Sequence, residues 1–154
     1  AVNYGYDVKK WWHDSDGNAI DLSNGVLDAE QGDLFTVVIE LRKSDRVVMG
    51  DLLLSDLLPA GFEIEKSLIS PPKVGGFPVD LESGKTPDYT AHMDDRFIAH
   101  FENQWYQGNH AVISYVVRAA YSTEAQIGDA HVEHMYAPEI YGRSNVTRAV
   151  VFEK

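Results

Sequence analysis

The segment Phe35-Thr36-Val37-Val38-Ile39-Glu40-Leu41-Arg42 constrains this chain more than any other. Phe35, Val37, Ile39 and Leu41 fall on one side of an extended strand, while Thr36, Glu40 and Arg42 fall on the other. A helix would scatter the same apolar residues around its circumference, so the pattern selects a β-strand that lays one face on a core. Val47 to Asp56 and Ala111 to Tyr121 are also rich in β-branched and apolar residues but alternate less cleanly, which predicts central strands covered on both sides. Weaker strands are expected at Val8 to His13, Phe62 to Glu65, Arg96 to Phe101, Ala130 to Met135 and Thr147 to Phe152.

Turn residues punctuate these runs. Asp16-Gly17, Gly32-Asp33, Pro59-Ala60-Gly61 and Gly108-Asn109 supply the positive φ or fixed φ that chain reversals need. Only Ser122-Thr123-Glu124-Ala125-Gln126 carries a helix start, and Gly128 ends it before it gains independent stability. Ser70 to Pro87 holds four prolines and three glycines and reads as a long surface loop. The expected fold is all-β: an antiparallel β-sandwich of about seven strands, with residues 1–154 forming a single domain. Phe35, Val37, Ile39, Leu41, Leu52, Leu54, Phe97, Ile113, Tyr115 and Val117 are the expected core.

Charge narrows the partners. Thirteen Lys and Arg against 24 Asp and Glu give a net charge of −11, a field that repels phosphate backbones and anionic lipid surfaces. Nucleic acid and membrane contact are therefore not expected, and no apolar run approaches the roughly 20 residues of a spanning helix. The absence of cysteine removes disulfides, thiolate metal sites, a Cys nucleophile and a thioester within these residues. The first residues, Ala1-Val2-Asn3-Tyr4-Gly5-Tyr6, lack an initiator Met and a signal peptide pattern, which fits a fragment or a processing boundary.

Candidate chemical sites are weak. Asp14-Ser15-Asp16-Gly17-Asn18 approaches a calcium loop, but its glycine is at the fourth position instead of the sixth and Gly25 stands where a bidentate Glu belongs. A polar hairpin tip is the expectation. His131 and His134, three apart, point to opposite faces of a strand and make a poor zinc pair. Asp94, Asp95, Glu63 and Glu65 supply acids without a spacing that converges on a cleft, so a solvated face is expected rather than a glycosidase pair. No nucleophile elbow, phosphate loop or dinucleotide fingerprint occurs. The chain is read as no enzyme, with no cofactor and no metal site. Trp11 and Trp12 are adjacent on an expected strand, so one of them should leave the core, and Trp105, Tyr106, Tyr136 and Tyr141 add further contact aromatics.

Asp51 to Glu65 (DLLLSDLLPAGFEIE), Asp94-Asp95-Arg96-Phe97, Tyr115-Val116-Val117-Arg118-Ala119 and Met135-Tyr136-Ala137-Pro138-Glu139-Ile140-Tyr141-Gly142-Arg143 together resemble the last domain of bacterial alpha-2-macroglobulins. The likeness runs from about Val8 to the C-terminus and is most specific in the last segment. The family carries a Pro/Gly-rich turn where this chain has Ser122 to Ile127.

The resemblance implies a macroglobulin-like sandwich at the C-terminal end of a large periplasmic protease trap, its parent free or lipid-anchored to the inner membrane. Partners would be the thioester domain and neighbouring macroglobulin-like domains of the same polypeptide, with target proteases met through the full-length protein. Met135, Tyr136, Pro138, Glu139, Tyr141 and Arg143 would form the contact that shields a thioester. A reactive acyl group survives only where water is excluded, and an adaptable Met beside a broad Tyr suits such a cover. Two other readings remain: a surface adhesin repeat with a Lys–Asn isopeptide bond, and a carbohydrate-binding sandwich using Trp11, Trp12 or Trp105.

Overall fold

The computed structural model describes residues 6–20, 22, 26–43, 51–65, 89–92, 95–101, 110–127, 130–134, 141–143 and 147–152, the last two segments by their backbone only. Among these the chain forms twelve strands and no helix: β1 (Tyr6–His13), β2 (Val26–Glu30), β3 (Leu34–Lys43), β4 (Leu52–Leu57), β5 (Phe62–Ile64), β6 (Tyr89–His92), β7 (Arg96–Phe101), β8 (His110–Ala119), β9 (Thr123–Ile127), β10 (Ala130–His134), β11 (Tyr141–Arg143) and β12 (Thr147–Phe152). A four-stranded sheet, β1-β3-β8-β5, and a five-stranded sheet, β11-β10-β4-β7-β6, form the sandwich. A smaller sheet, β2-β12-β9, completes it. Every pairing is antiparallel except β12 with β2, which runs parallel from Arg148↔Val26 to Phe152↔Glu30.

The alternation on β3 does what it predicts. Val37 lies opposite Trp12 on one side and Tyr115 on the other, and Leu41 lies opposite Val8 and Ala111, so one row of apolar side chains crosses three strands. Leu52 and Leu54 on β4 and Phe97 on β7 meet that row from the other sheet, and every residue expected in the core belongs to one buried cluster. Leu27, Ala29 and Ile127 join it from the small sheet. The face of β3 opposite the core departs from expectation, because Thr36, Val38 and Glu40 are buried as well. Alternation reports polarity rather than exposure: Glu40 keeps a charged partner there, its Oε1 accepting from Arg42 Nε at 3.0 Å.

Strand number exceeds the expected seven because β2, β6, β9 and β11, of three to five residues each, are too short to leave a clear period-two signal, whereas β5 falls on the strand expected at Phe62 to Glu65. β4 and β8 are interior to their sheets as expected, although β4 begins at Leu52 and residues 47–50 of the expected strand lie outside the described residues. The helix start at Ser122 to Gln126 is overturned. Thr123–Ile127 is β9, whose backbone groups pair with β12 and whose Ile127 enters the core, so burial overrides a weak local preference.

Three of the four expected turns are present. Gly17, Gly32 and Gly61 hold φ of 86°, 98° and 87°, values a side chain bearing Cβ resists. Gly108-Asn109 and residues 70–87 lie outside the described residues.

These turns divide the sandwich into two poles. At one, the β2–β3, β4–β5 and β8–β9 connections are laced together: Gly32 N donates to Ala119 O (2.7 Å), Ala119 N to Asp33 O (2.9 Å), and Ala120 N to Gly61 O (2.8 Å). At the other, register places Tyr6 beside Lys43 and Arg42 beside His110, with the Leu52, Phe101 and His134 ends of β4, β7 and β10 side by side in the facing sheet.

Ile39, fully buried at the centre of β3, tests the assigned face. Ile39→Ala should destabilise the chain by about 2–5 kcal/mol in urea unfolding, whereas the exposed Glu124→Ala should change it by less than about 0.5 kcal/mol.

Candidate contact loop and a buried polar cluster

Sequence reasoning placed the functional segment between Met135 and Arg143. Met135, Tyr136, Pro138 and Glu139 lie outside the described residues. The strand ends that flank them are described: β10 ends at His134, and β11 begins at Tyr141 and returns antiparallel, with Glu133↔Tyr141 and His131↔Arg143. β10 and β11 are therefore antiparallel neighbours at the edge of the five-stranded sheet, and the His134 end of β10 lies on the pole where β1 begins. Tyr141 and Arg143 are paired strand positions of β11, and Gly142 between them lies opposite Val132.

The other candidates resolve into local partnerships. Asp14 Oδ1 accepts from the backbone N–H groups of Asp16 and Asn18, both at 3.0 Å, which makes that segment a self-bonded hairpin tip. Glu65 and Glu63 take opposite arms of the Arg118 guanidinium at 2.9 and 3.3 Å, so this acid pair is bridged rather than opened on a cleft. Asp95 lies on its neighbour Arg96, whose hydrogen bond holds the carboxyl below its ordinary pKa, and Asp94 is outside the described residues. Trp12 enters the core, edge-on to Phe35 and Phe62, while Trp11 takes the other face of β1. Trp105, Tyr106 and Tyr136 lie outside the described residues.

One cluster escaped the sequence reading. Lys10 stands on the core face of β1, two positions from Val8 and from Trp12, and Asp56 stands on the core face of β4, two positions from Leu54. Their side chains are 5% and 0% exposed, and Lys10 Nζ lies 2.7 Å from Asp56 Oδ1. The Tyr115 hydroxyl donates to Asp56 Oδ2, and Phe97 stacks on the Tyr115 ring with centroids 4.4 Å apart. The cluster thus joins β1 and β8 of one sheet to β4 and β7 of the other. The signal was available: both charged residues fall in phase with apolar neighbours on their strands.

Residues 5–139 match the family model described as the bacterial alpha-2-macroglobulin MG10 domain. Among solved structures, native alpha-2-macroglobulin from Escherichia coli spanning domain MG7 to the C-terminus is 25% identical with a TM-score of 0.77, over 97% of this chain and 24% of that one. Salmonella alpha-2-macroglobulin reacted with methylamine is 26% identical with a TM-score of 0.75, over 97% of this chain and 9% of that one. The native conformation of the Escherichia coli protein is 25% identical with a TM-score of 0.77, over 98% and 10%. This chain spans a quarter or less of the structures it resembles. No curated protein matches it.

Burial of the Tyr115 phenol gives stability a defined pH dependence. Desolvation first, then the Asp56 charge and hydrogen bond, raise its pKa well above the ordinary value, and desolvation raises Tyr6 likewise. In the unfolded chain these phenols ionise near pH 10 while the folded chain keeps their protons, so the folded state binds more protons there. Stability should be unaffected by these groups below about pH 9 and fall progressively above about pH 10. Urea midpoints measured from pH 8 to 11 check this, and Tyr115→Phe should flatten the alkaline decline.

Proposed function

This chain belongs to the bacterial alpha-2-macroglobulin MG10 domain family, and we propose that it is a non-catalytic terminal domain of a protease-trapping inhibitor, packed on its neighbours and covering a thioester in the parent protein. The observation that supports the reading is that the ends of β10 and β11 which bound the 135–140 segment lie on the pole where β1 begins, so a domain joined ahead of β1 in the parent would adjoin that end of the sandwich. Met135 and Tyr136 in that segment offer broad, adaptable apolar cover.

The Salmonella relative reacted with methylamine gives this cover a purpose. A centre open to a small amine is an acyl donor, and an acyl donor stored in water lasts only while its surroundings exclude nucleophiles. A domain with this task needs no catalytic group. Of the acids weighed above, Glu63, Glu65 and Asp95 are held by arginines of this chain, and Asp56 is sealed from solvent. Target proteases would be met by the whole protein, and the parent would reside in the periplasm, free or lipid-anchored to the inner membrane.

Tyr136→Ala in the full-length parent tests the cover. The variant should keep its fold and take up methylamine faster by about tenfold or more, the rate equivalent of roughly 1.4 kcal/mol. An unchanged rate on an unchanged fold would remove the shielding role, and a parent that takes up no methylamine even when unfolded would remove the thioester itself.

A further inference from the structure

We propose that Lys10 and Asp56 condense to an internal amide bond that ties β1 to β4 across the two sheets. Four observations converge on it. The amine and the carboxylate are in direct contact, Nζ to Oδ1 2.7 Å, with side chains 5% and 0% exposed. That contact places the nitrogen near the roughly 3–3.5 Å approach to the carboxyl carbon from which bond formation proceeds. The second carboxylate oxygen is held by the Tyr115 hydroxyl, a donor aimed at the atom where negative charge would develop during attack. The two residues come from strands of opposite sheets, and the chain has no cysteine with which to make any other covalent tie.

The reaction balances without a co-reactant. Lys10 passes one ammonium proton to Oδ1, which frees the nitrogen lone pair beside the carboxyl group. Rotation about the last side-chain bond brings the nitrogen over the carboxyl face, and its lone pair forms the N–C bond while the C=O electrons move onto Oδ2. Tyr115 steadies that oxygen by donating to it, and its raised pKa keeps the phenol protonated for the task. A second nitrogen proton reaches Oδ1, the C–Oδ1 bond breaks, and water leaves as the C=Oδ2 bond re-forms. A neutral amide replaces two buried charges, so the desolvation cost of the ion pair favours the product. Glu40, the other buried acid among the described residues, belongs to β3 in the sheet opposite Asp56 and lies in register with Lys9 rather than Lys10, which leaves Tyr115 as the assisting group among the described residues.

Intact-mass measurement of the 154-residue chain in denaturant tests the bond. The expected mass is lighter than the calculated one by one water, and fragmentation after proteolysis should yield a branched peptide joining Lys10 to Asp56. Lys10→Arg should return the chain to its full calculated mass and lower its melting temperature, and Tyr115→Phe should leave part of the protein uncondensed. A wild-type chain at its full mass, or a water loss mapped elsewhere, would overturn the proposal and leave Lys10 and Asp56 as an ion pair. Complete condensation in Tyr115→Phe would overturn the role given to the phenol.

Discussion

A carboxylate taken wholly out of water costs several kcal/mol unless its charge is matched and its lone pairs are filled. Asp56 is in that position at the middle of the sandwich, and its needs fix how the two sheets meet. β4 must present Oδ1 to Lys10 on β1 and Oδ2 to Tyr115 on β8, so a slip of either sheet along the strands would strand a buried charge. Apolar packing alone would tolerate such a slip more readily, because Leu and Val side chains find partners at many offsets. The polar cluster therefore selects one alignment from those the core would permit.

That alignment sets the two ends. Once β1, β4 and β8 are fixed, Leu57 and Ala119 fall at the pole closed by the tied turns, and Leu52 and Lys43 fall at the other. β10 pairs along β4 and β11 along β10, so the His134 end of β10 falls at the pole where β1 begins. The start of β1 and the end of β10 therefore share one end of the sandwich. The opposite end is short, rigid and self-satisfied, with the backbone groups of the turns bonded to one another.

Much of the fold was legible from short stretches. β3, β7 and β12 lie within a residue of where apolar and β-branched runs placed them, and Gly17, Gly32 and Gly61 turn the chain where their sequence neighbours said. β9 was not legible, because Thr123 to Ile127 has no strong local preference and becomes a strand only when β12, distant in sequence, supplies a partner. The parallel pairing of β12 with β2 was equally hidden, since nothing local distinguishes a parallel edge from an antiparallel one. The contact segment came from resemblance rather than periodicity. Tyr141 to Arg143 proved to be strand because His131 to Glu133 offers it a ladder.

The sequence by itself determined the class of the fold, the core faces of β3, β4 and β8, and the reversals at Gly17, Gly32 and Gly61. Each of these follows from side-chain order within a few residues, where sterics and burial act directly. Only the tertiary structure decided which strands became neighbours, why the second face of β3 is buried, and that Lys10, Asp56 and Tyr115 meet. The last of these depends on contacts between residues 46 and 59 positions apart, and all of them on the removal of water from partners distant in sequence. A charged residue in phase with apolar neighbours announces that it is buried; which residue answers it is written only in the packing of the two sheets.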